Sequence, residues 1–243
     1  VINRNFKKYQ EANECYQKAI AINPKYVVAH TNLGNSFNLL GNYREAIKCY
    51  DLANKINPHY LTAHWQSLNT FPVIYKETKE IVFFRNRFAE NINKMYKLLD
   101  KNLEFKKNEI LETLESSTNF FLHYQGKNDL DLQTQYAKLI EKFTKKIYAK
   151  FFKVRKKISS EKKLKVGFVS AYFRMHSVSK THKNWIIKLD KSKFITYVYY
   201  VGNQQDQVTN LIKENSNFYF NSNDTDILIN KIFNDKLDVI IYL

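Results

Sequence analysis

The sequence predicts a helical repeat array, then a helical connector, then part of a parallel α/β sheet. Three observations carry that reading. Residue identities recur 34 positions apart through residues 1–72, apolar residues fall at helical spacing over 76–99 and 129–154, and from residue 164 short β-branched or aromatic runs alternate with helical patterns.

The repeat is read residue by residue. Pro24 recurs as Pro58, Tyr9 as Tyr43, Ala12 as Ala46, Tyr16 as Tyr50, Ala19 as Ala53 and Tyr26 as Tyr60. This is the period of tetratricopeptide repeats, pairs of helices that bury an apolar face only by stacking on neighbours. One repeat, 27–60, is complete, with Leu33, Gly34 and Phe37 on its first helix and Ala46, Tyr50 and Ala53 on its second. Half a repeat precedes it, and a degenerate helix over 61–71 follows. His30 and His64 are equivalent and are expected to pack. Cys15 and Cys49 are equivalent too, and without a CxxC spacing they suggest neither a disulfide framework nor a zinc site. Asn32 falls where a concave-face asparagine would lie, with Gln66 one repeat on. Two readings stand for this pair, hydrogen bonding to a peptide backbone or solvated surface amides.

Pro72 breaks the array. A helix is expected over 76–99 with Ile81, Phe84, Phe88, Ile92, Met95 and Leu99 on one stripe, and a second over 108–114. The aromatic run 119–124 precedes a turn at Gly126. Asp129 then caps a long helix with Leu132, Tyr136, Leu139, Ile140, Phe143, Ile147, Phe151 and Val154 inward. Its other face and tail carry Lys145, Lys146, Lys150, Lys153, Arg155, Lys156 and Lys157, with Lys162, Lys163 and Lys165 beyond. A charge run of this kind is usually a solvated face, so nucleic-acid or anionic-partner binding through it is a minor reading. Ser159, Ser160 and Glu161 mark a linker, which gives segments 1–72, 73–161 and 162–243.

The last segment begins with the stretch LKVGFVSAYFRMHSV, Leu164 to Val178. It reads as a buried strand over 165–170, a polar turn with Arg174, His176 and Ser177, and a helix over 178–188 with Trp185, Ile186 and Leu189 inward. A strand over 194–201, a helix over 206–214, a short strand over 218–220, a helix over 224–234 and a strand over 237–243 follow. That rhythm implies a parallel sheet with right-handed crossovers. In such sheets ligands sit beyond the carboxyl ends of strands, where a histidine can serve as a base. The plainer reading of His176 is a loop histidine capping the next helix. No GxGxxG, no Gly-rich GK[ST] loop and no metal-ligand spacing occurs, which disfavours nicotinamide, flavin and P-loop chemistry.

The bulk numbers set outer bounds. The 243 residues, 44% hydrophobic and 15% aromatic, suffice for two modest cores. The formal charge of +16 comes from 39 Lys+Arg against 23 Asp+Glu. It is mostly lysine, dispersed among Asn, Ile and Tyr, as an AT-rich coding sequence would give. No apolar run reaches the ~20 residues of a membrane span and no signal peptide is visible, so a cytoplasmic setting is the default. A chain that starts at Val1 and stops within the apolar run LDVIIYL reads as a piece of a longer one.

Repeats, a helical connector, then KVGFVSAYFRMHSVSK is a combination that resembles the O-linked N-acetylglucosamine transferase and SPINDLY family. The resemblance rests on Gly167, Phe168, Val169 and Ser170, then Phe173, Arg174, His176, Ser177 and Val178. The runs LDKSKFITYVYY and LDVIIYL, with connector segments AHWQSLNTFPVIY and STNFFLHYQGKNDLDLQ, extend it over nearly the whole chain. Ala171, Met175, Thr181 and His182 depart from the family pattern. The resemblance implies a tetratricopeptide-repeat solenoid joined to the Rossmann-like amino-terminal lobe of a GT-B glycosyltransferase, incomplete here and without the carboxyl-terminal lobe. It implies transfer of a sugar, first N-acetylglucosamine from UDP, to Ser or Thr hydroxyls of proteins presented by the repeats, with no metal or other cofactor. His176 would be the active-site histidine, as base or positioner, with Arg174 and Ser177 beside it as substrate-binding residues. Without the second lobe the chain alone is expected to be inactive. The rival from another class is a repeat-based interaction scaffold whose α/β part is only structural.

Overall fold

The computed structural model describes residues 2–101, 104–152 and 163–243, with side chains from Lys8 onward. The chain divides into two compact units, Val1–Phe152 and Lys153–Leu243.

The first unit is helical. Helix α1 spans Ile2–Ile22, α2 Val27–Leu39, α3 Tyr43–Ile56, α4 Leu61–Leu68, α5 Thr78–Asp100, α6 Lys107–Ser116 and α7 Leu130–Tyr148, with a short 3-10 helix at Phe120–Gln125 before α7. The 34-residue period survives as geometry. His30 Nε2 lies 2.9 Å from the Pro24 carbonyl, and His64 Nε2 lies 3.0 Å from the Pro58 carbonyl. Each imidazole donates to the carbonyl of the inter-repeat proline and ties the next helix to the turn before it. Gly34 permits the close pairing of α2 and α3, because a Cβ there would lie 2.6 Å from Tyr50 Cε1. Tyr50 itself is fully buried and donates to Asn35 Oδ1 at 2.9 Å.

The connector does not stand apart from the repeats. Leu61, Trp65 and Leu68 of α4 share one core with Phe84, Phe88, Ile92 and Met95 of α5 and with Tyr136, Leu139 and Phe143 of α7. Trp65 stacks on Tyr136 at 5.4 Å and meets Phe143 edge-on at 6.1 Å. The expected boundary at residue 72 is thus a turn inside one packed body. Two expectations for α7 are corrected. The regular helix stops at Tyr148 and gives way to a 3-10 turn, Ala149–Phe151, while Val154 lies outside the described residues. Asp129 holds the N-cap position but makes no cap bond. Its carboxylate goes to Arg85 and to His123 Nδ1, 3.3 Å away, while Asn128 Oδ1 takes the Leu130 N–H at 3.0 Å. An arginine only partly solvated is the stronger claimant on that carboxylate.

The second unit is a four-stranded, wholly parallel sheet: β1 Leu164–Ser170, β2 Phe194–Tyr200, β3 Phe218–Asn221 and β4 Val239–Tyr242, in the order β3-β2-β1-β4. Helices α8 Ser177–Ile187, α9 Gln207–Asn215 and α10 Thr225–Asp235 link them. Side chains alternate across each strand. Val166, Phe168, Val198 and Tyr200 pack with Ile186 of α8 and Ile212 of α9, and Val169, Tyr197 and Tyr199 pack with Leu228 of α10 and Leu237. Helices therefore cover both faces, which explains strands that read as nearly continuous apolar runs. The chain moves outward from β1 to β3 and then returns to the far side of β1. The reversal falls between β1 and β4, the crevice position of open α/β sheets. Trp185 corrects the sequence reading of α8. Ile186 is fully buried, but Trp185 is 52% exposed and lies edge-on to His182. Neighbouring helical positions are about 100° apart, so only one of the pair can face the sheet.

Candidate functional site

The site is built where β1 ends. Ser170 is buried, donates from Oγ to the Leu243 carbonyl at 2.9 Å and accepts the Tyr172 N–H at 3.0 Å, so the exit from β1 is clamped to the chain beside β4. The loop 171–176 is then fixed from three directions. Ser179 Oγ of α8 donates to the Tyr172 carbonyl at 2.6 Å, and Thr209 Oγ1 of α9 donates to the Phe173 carbonyl at 2.6 Å. Asp206 accepts the Met175 N–H at 2.6 Å.

Asp206 performs two tasks with one carboxylate. It accepts Val208 and Thr209 N–H at 2.9 and 3.1 Å, and Thr209 Oγ1 takes the Asp206 N–H in return, a capping box that starts α9. The N–H bonds, with Met175's the largest, hold its carboxyl below the usual aspartate range.

His176 occupies the N-cap of α8. Its Nδ1 accepts the Val178 N–H at 3.3 Å, and its ring is half-buried and stacked on Tyr172, centroids 4.3 Å apart and planes 16° off parallel. The capping role read from the sequence as the plain alternative is thus present, and it has a chemical consequence. A cap acceptor at Nδ1 places the proton of the neutral ring on Nε2, a tautomer inferred from the hydrogen-bond partner. In this state His176 offers a hydrogen-bond donor, and action as a base at Nε2 would require giving up the cap.

An open cleft of about 380 Å³ lies between α8 and α9, lined by Arg174, Met175, His176, Ser179, Lys180, Lys183, Gln207, Val208 and Leu211. Arg174, Lys180 and Lys183 have no ion-pair partner among the described residues. The cleft therefore joins an apolar wall to a positive field, which suits a ligand with anionic and apolar parts. Ser177 is exposed at the first position of α8, and its side chain does not line the cleft.

Of the expected site residues, Arg174 and His176 come together here. Asn32 and Gln66 belong to the other unit and have parted company. Asn32 is half-buried on α2 with no side-chain hydrogen bond among the described residues. Gln66 is only 8% exposed, and its Nε2 donates to the Ser116 carbonyl at 3.3 Å, beside Trp65 Nε1 on the Ser117 carbonyl at 3.0 Å. The end of α6 leaves carbonyls that need donors, and α4 supplies two. Gln66 is thereby engaged within the fold. Lys180, Lys183 and Asp206 were missed in the sequence. His176, Lys180 and Lys183 stand four and three residues apart on one helical face, and Asp206 with Thr209 three residues on has a capping-box spacing. Of the basic stretch, Lys145 pairs with Glu141, Lys163 Nζ donates to the Lys191 carbonyl and Lys165 Nζ to the Asp235 carbonyl, while residues 153–162 lie outside the described residues.

Among the described residues no helix is long and apolar enough to cross a membrane. Residues 7–41 match the family model described as TPR repeat, and residues 27–60 match that of the tetratricopeptide repeat. No curated protein matches the chain. A solved structure of a mutant O-GlcNAc transferase from Thermobaculum terrenum is similar at 17% identity with a TM-score of 0.47, over 98% of this chain and 45% of that one. The chain thus spans under half the length of that structure. Residues 7–60 are tetratricopeptide repeats.

Proposed function

We propose that this chain is the repeat segment and first lobe of a GT-B protein O-glycosyltransferase that moves N-acetylglucosamine from UDP to Ser or Thr hydroxyls. The observation that carries the reading is the placement of His176, beyond the carboxyl end of β1, half-buried, and at the edge of a cationic cleft. The sequence around it, Gly167 to Val178, carries the family resemblance, and the repeats before it are of the kind that hold polypeptide.

In the reaction the acceptor hydroxyl oxygen attacks the anomeric carbon, the bond from that carbon to the UDP oxygen breaks with its electron pair leaving on UDP, and the hydroxyl proton passes to the departing phosphate oxygen or to solvent. The Nε2–H of His176 donates to a hydroxyl or sugar oxygen and positions it, which needs no change of tautomer. Arg174, Lys180 and Lys183 supply positive charge suited to a diphosphate. No metal is required by this reading, and the second lobe contributes the main grip on the nucleotide.

The test uses the protein carrying both lobes. His176→Ala, which removes a placed hydrogen-bond donor, should lower kcat by about a hundredfold or more, whereas His176→Asn, which can still cap α8, should keep the thermal midpoint and lose the same activity. Activity retained by His176→Asn would refute the positioning role. The 243-residue chain alone should transfer no sugar, and measurable transfer by it would overturn the two-lobe reading. A second reading, a polypeptide-binding scaffold, is favoured by the family matches falling only on the repeats. It predicts a two-lobed protein that binds peptides and turns over no nucleotide sugar.

A further inference from the structure

We infer that Asp206 is a positioning residue for His176, acting from the α9 side of the cleft through the Met175 N–H, a role that rests on the transferase reading above. The cleft has two walls. One is the loop 174–176 with α8, and the other is the first turn of α9, which contributes Gln207, Val208 and Leu211. Two hydrogen bonds tie the loop to α9. Thr209 Oγ1 donates to the Phe173 carbonyl at 2.6 Å, and the Met175 N–H donates to Asp206 Oδ2 at 2.6 Å. They hold the backbone on either side of Arg174 and end one residue before His176.

The two oxygens of the Asp206 carboxylate divide the work. Oδ1 accepts the Val208 and Thr209 N–H groups and so starts α9, while Oδ2 takes Met175. A helix cap needs one side-chain oxygen, which serine or asparagine supplies about as well. What aspartate adds at this position is the second oxygen, and that oxygen serves the loop rather than the helix. The bond is charge-assisted and so stronger than one between neutral groups. Its α9 end is firm, because Thr209 and Phe173 are each only 1% exposed.

The other holds on His176 leave this task open. Stacking on Tyr172 and the Val178 N–H on Nδ1 set the tilt of the ring relative to α8. Neither relates the ring to the opposite wall, where Gln207 and Leu211 stand. The Met175 bond does, because it fixes the peptide from which His176 departs. A reacting group misplaced by about 1 Å can lose about a hundredfold in rate, so a single bond at this place can matter to turnover without touching substrate.

The test is a double-mutant cycle on kcat in the protein carrying both lobes. Asp206→Asn keeps one oxygen to cap α9 and replaces the other by an NH2 group, which cannot accept from Met175. It should lower kcat about tenfold or more in the native background, but by less than about twofold where His176→Asn is already present, since residues that act as a unit are not additive. A purely structural role would reduce the folded fraction and lower kcat by the same factor in both backgrounds, and that equality would overturn the inference. Asp206→Ser, which also caps with a single oxygen, should give the same pattern and decides the matter if Asp206→Asn fails to fold. Full kcat in Asp206→Asn alongside a hundredfold loss in His176→Asn would sink the Asp206 role alone. A two-lobed protein that moves no sugar, or one indifferent to His176→Asn, would sink the transferase reading and this role with it.

Discussion

Gly34→Ala should destabilise the repeat unit, and Tyr50→Leu should reverse the sign of that effect. An added Cβ would lie 2.6, 2.9 and 3.0 Å from Cε1, Cδ1 and Cζ of Tyr50. Carbon atoms rest at about 3.5–4.0 Å, so the ring must retreat by most of an ångström. Tyr50 has no exposed surface into which to move, and its hydroxyl is held by Asn35. Overpacking costs about 1–3 kcal/mol and the disturbed hydrogen bond about 1 kcal/mol. The helix-propensity gain of alanine over glycine offsets about 1 kcal/mol. The net expectation is a loss of about 2 kcal/mol. In a Tyr50→Leu background Cε1, Cζ and the hydroxyl are gone and the smaller, untethered side chain can turn its remaining δ carbons aside, so the propensity gain prevails, about 0.5–1 kcal/mol in favour of alanine. The double-mutant cycle should therefore give a coupling of about 2–3 kcal/mol. The chain has two tryptophans, and Trp65 is buried in the repeat unit while Trp185 is exposed in the other. Urea unfolding followed by Trp65 fluorescence in a Trp185→Phe background reads the repeat unit directly. Additive effects, with a coupling below about 0.5 kcal/mol, would refute the claim that Gly34 is there for the Tyr50 ring.

Three further outcomes are expected. The carboxyl of Asp206 is depressed by the Met175 N–H first, so its contribution is complete above its unfolded pKa of about 4 and is lost as pH falls through the lower folded value; the difference in thermal midpoint between the chain and Asp206→Asn should be largest near neutrality and close in acid, and a difference independent of pH would contradict this. Burial lowers the His64 pKa, so its neutral form stabilises fully above about pH 6.5 and progressively less below it; His64→Gln should flatten that part of the pH–stability curve of the repeat unit, and an unchanged slope would count against it. Burial pushes the Cys49 thiol up to about 11, whereas Cys15 is exposed; iodoacetamide near pH 8 should label Cys15 and spare Cys49 until urea unfolds the chain, as peptide mass mapping would show.

The α/β unit was legible almost element by element, because its signals are local. Buried strands such as VGFV and TYVYY, each closed by a turn and a helix start, leave little freedom, and the strand limits agree with the sequence to within a few residues. The strand order was not legible, because right-handed crossovers alone do not say on which side of β1 the chain returns to lay down β4. Trp185 was misplaced because a helix lying on a sheet buries a stripe too narrow for two adjacent side chains. Asp129 was misread because a cap position records where a side chain starts, and Arg85, 44 residues away in sequence, decides where its carboxylate goes. The cationic cleft was half visible. The His176 turn stood out, but the Asp206 bond to Met175 that fixes it joins residues 31 apart.

The repeats show why sequence equivalence carries some contacts forward and not others. His30 and His64 make the same bond because their partners, Pro24 and Pro58, repeat with them, so the whole interaction lies inside the period. Asn32 and Gln66 also share a repeat position, yet Gln66 donates to a carbonyl at the end of α6, while Asn32 makes no side-chain hydrogen bond among the described residues. Local partners repeat, while long-range partners are set by whichever helix arrives next.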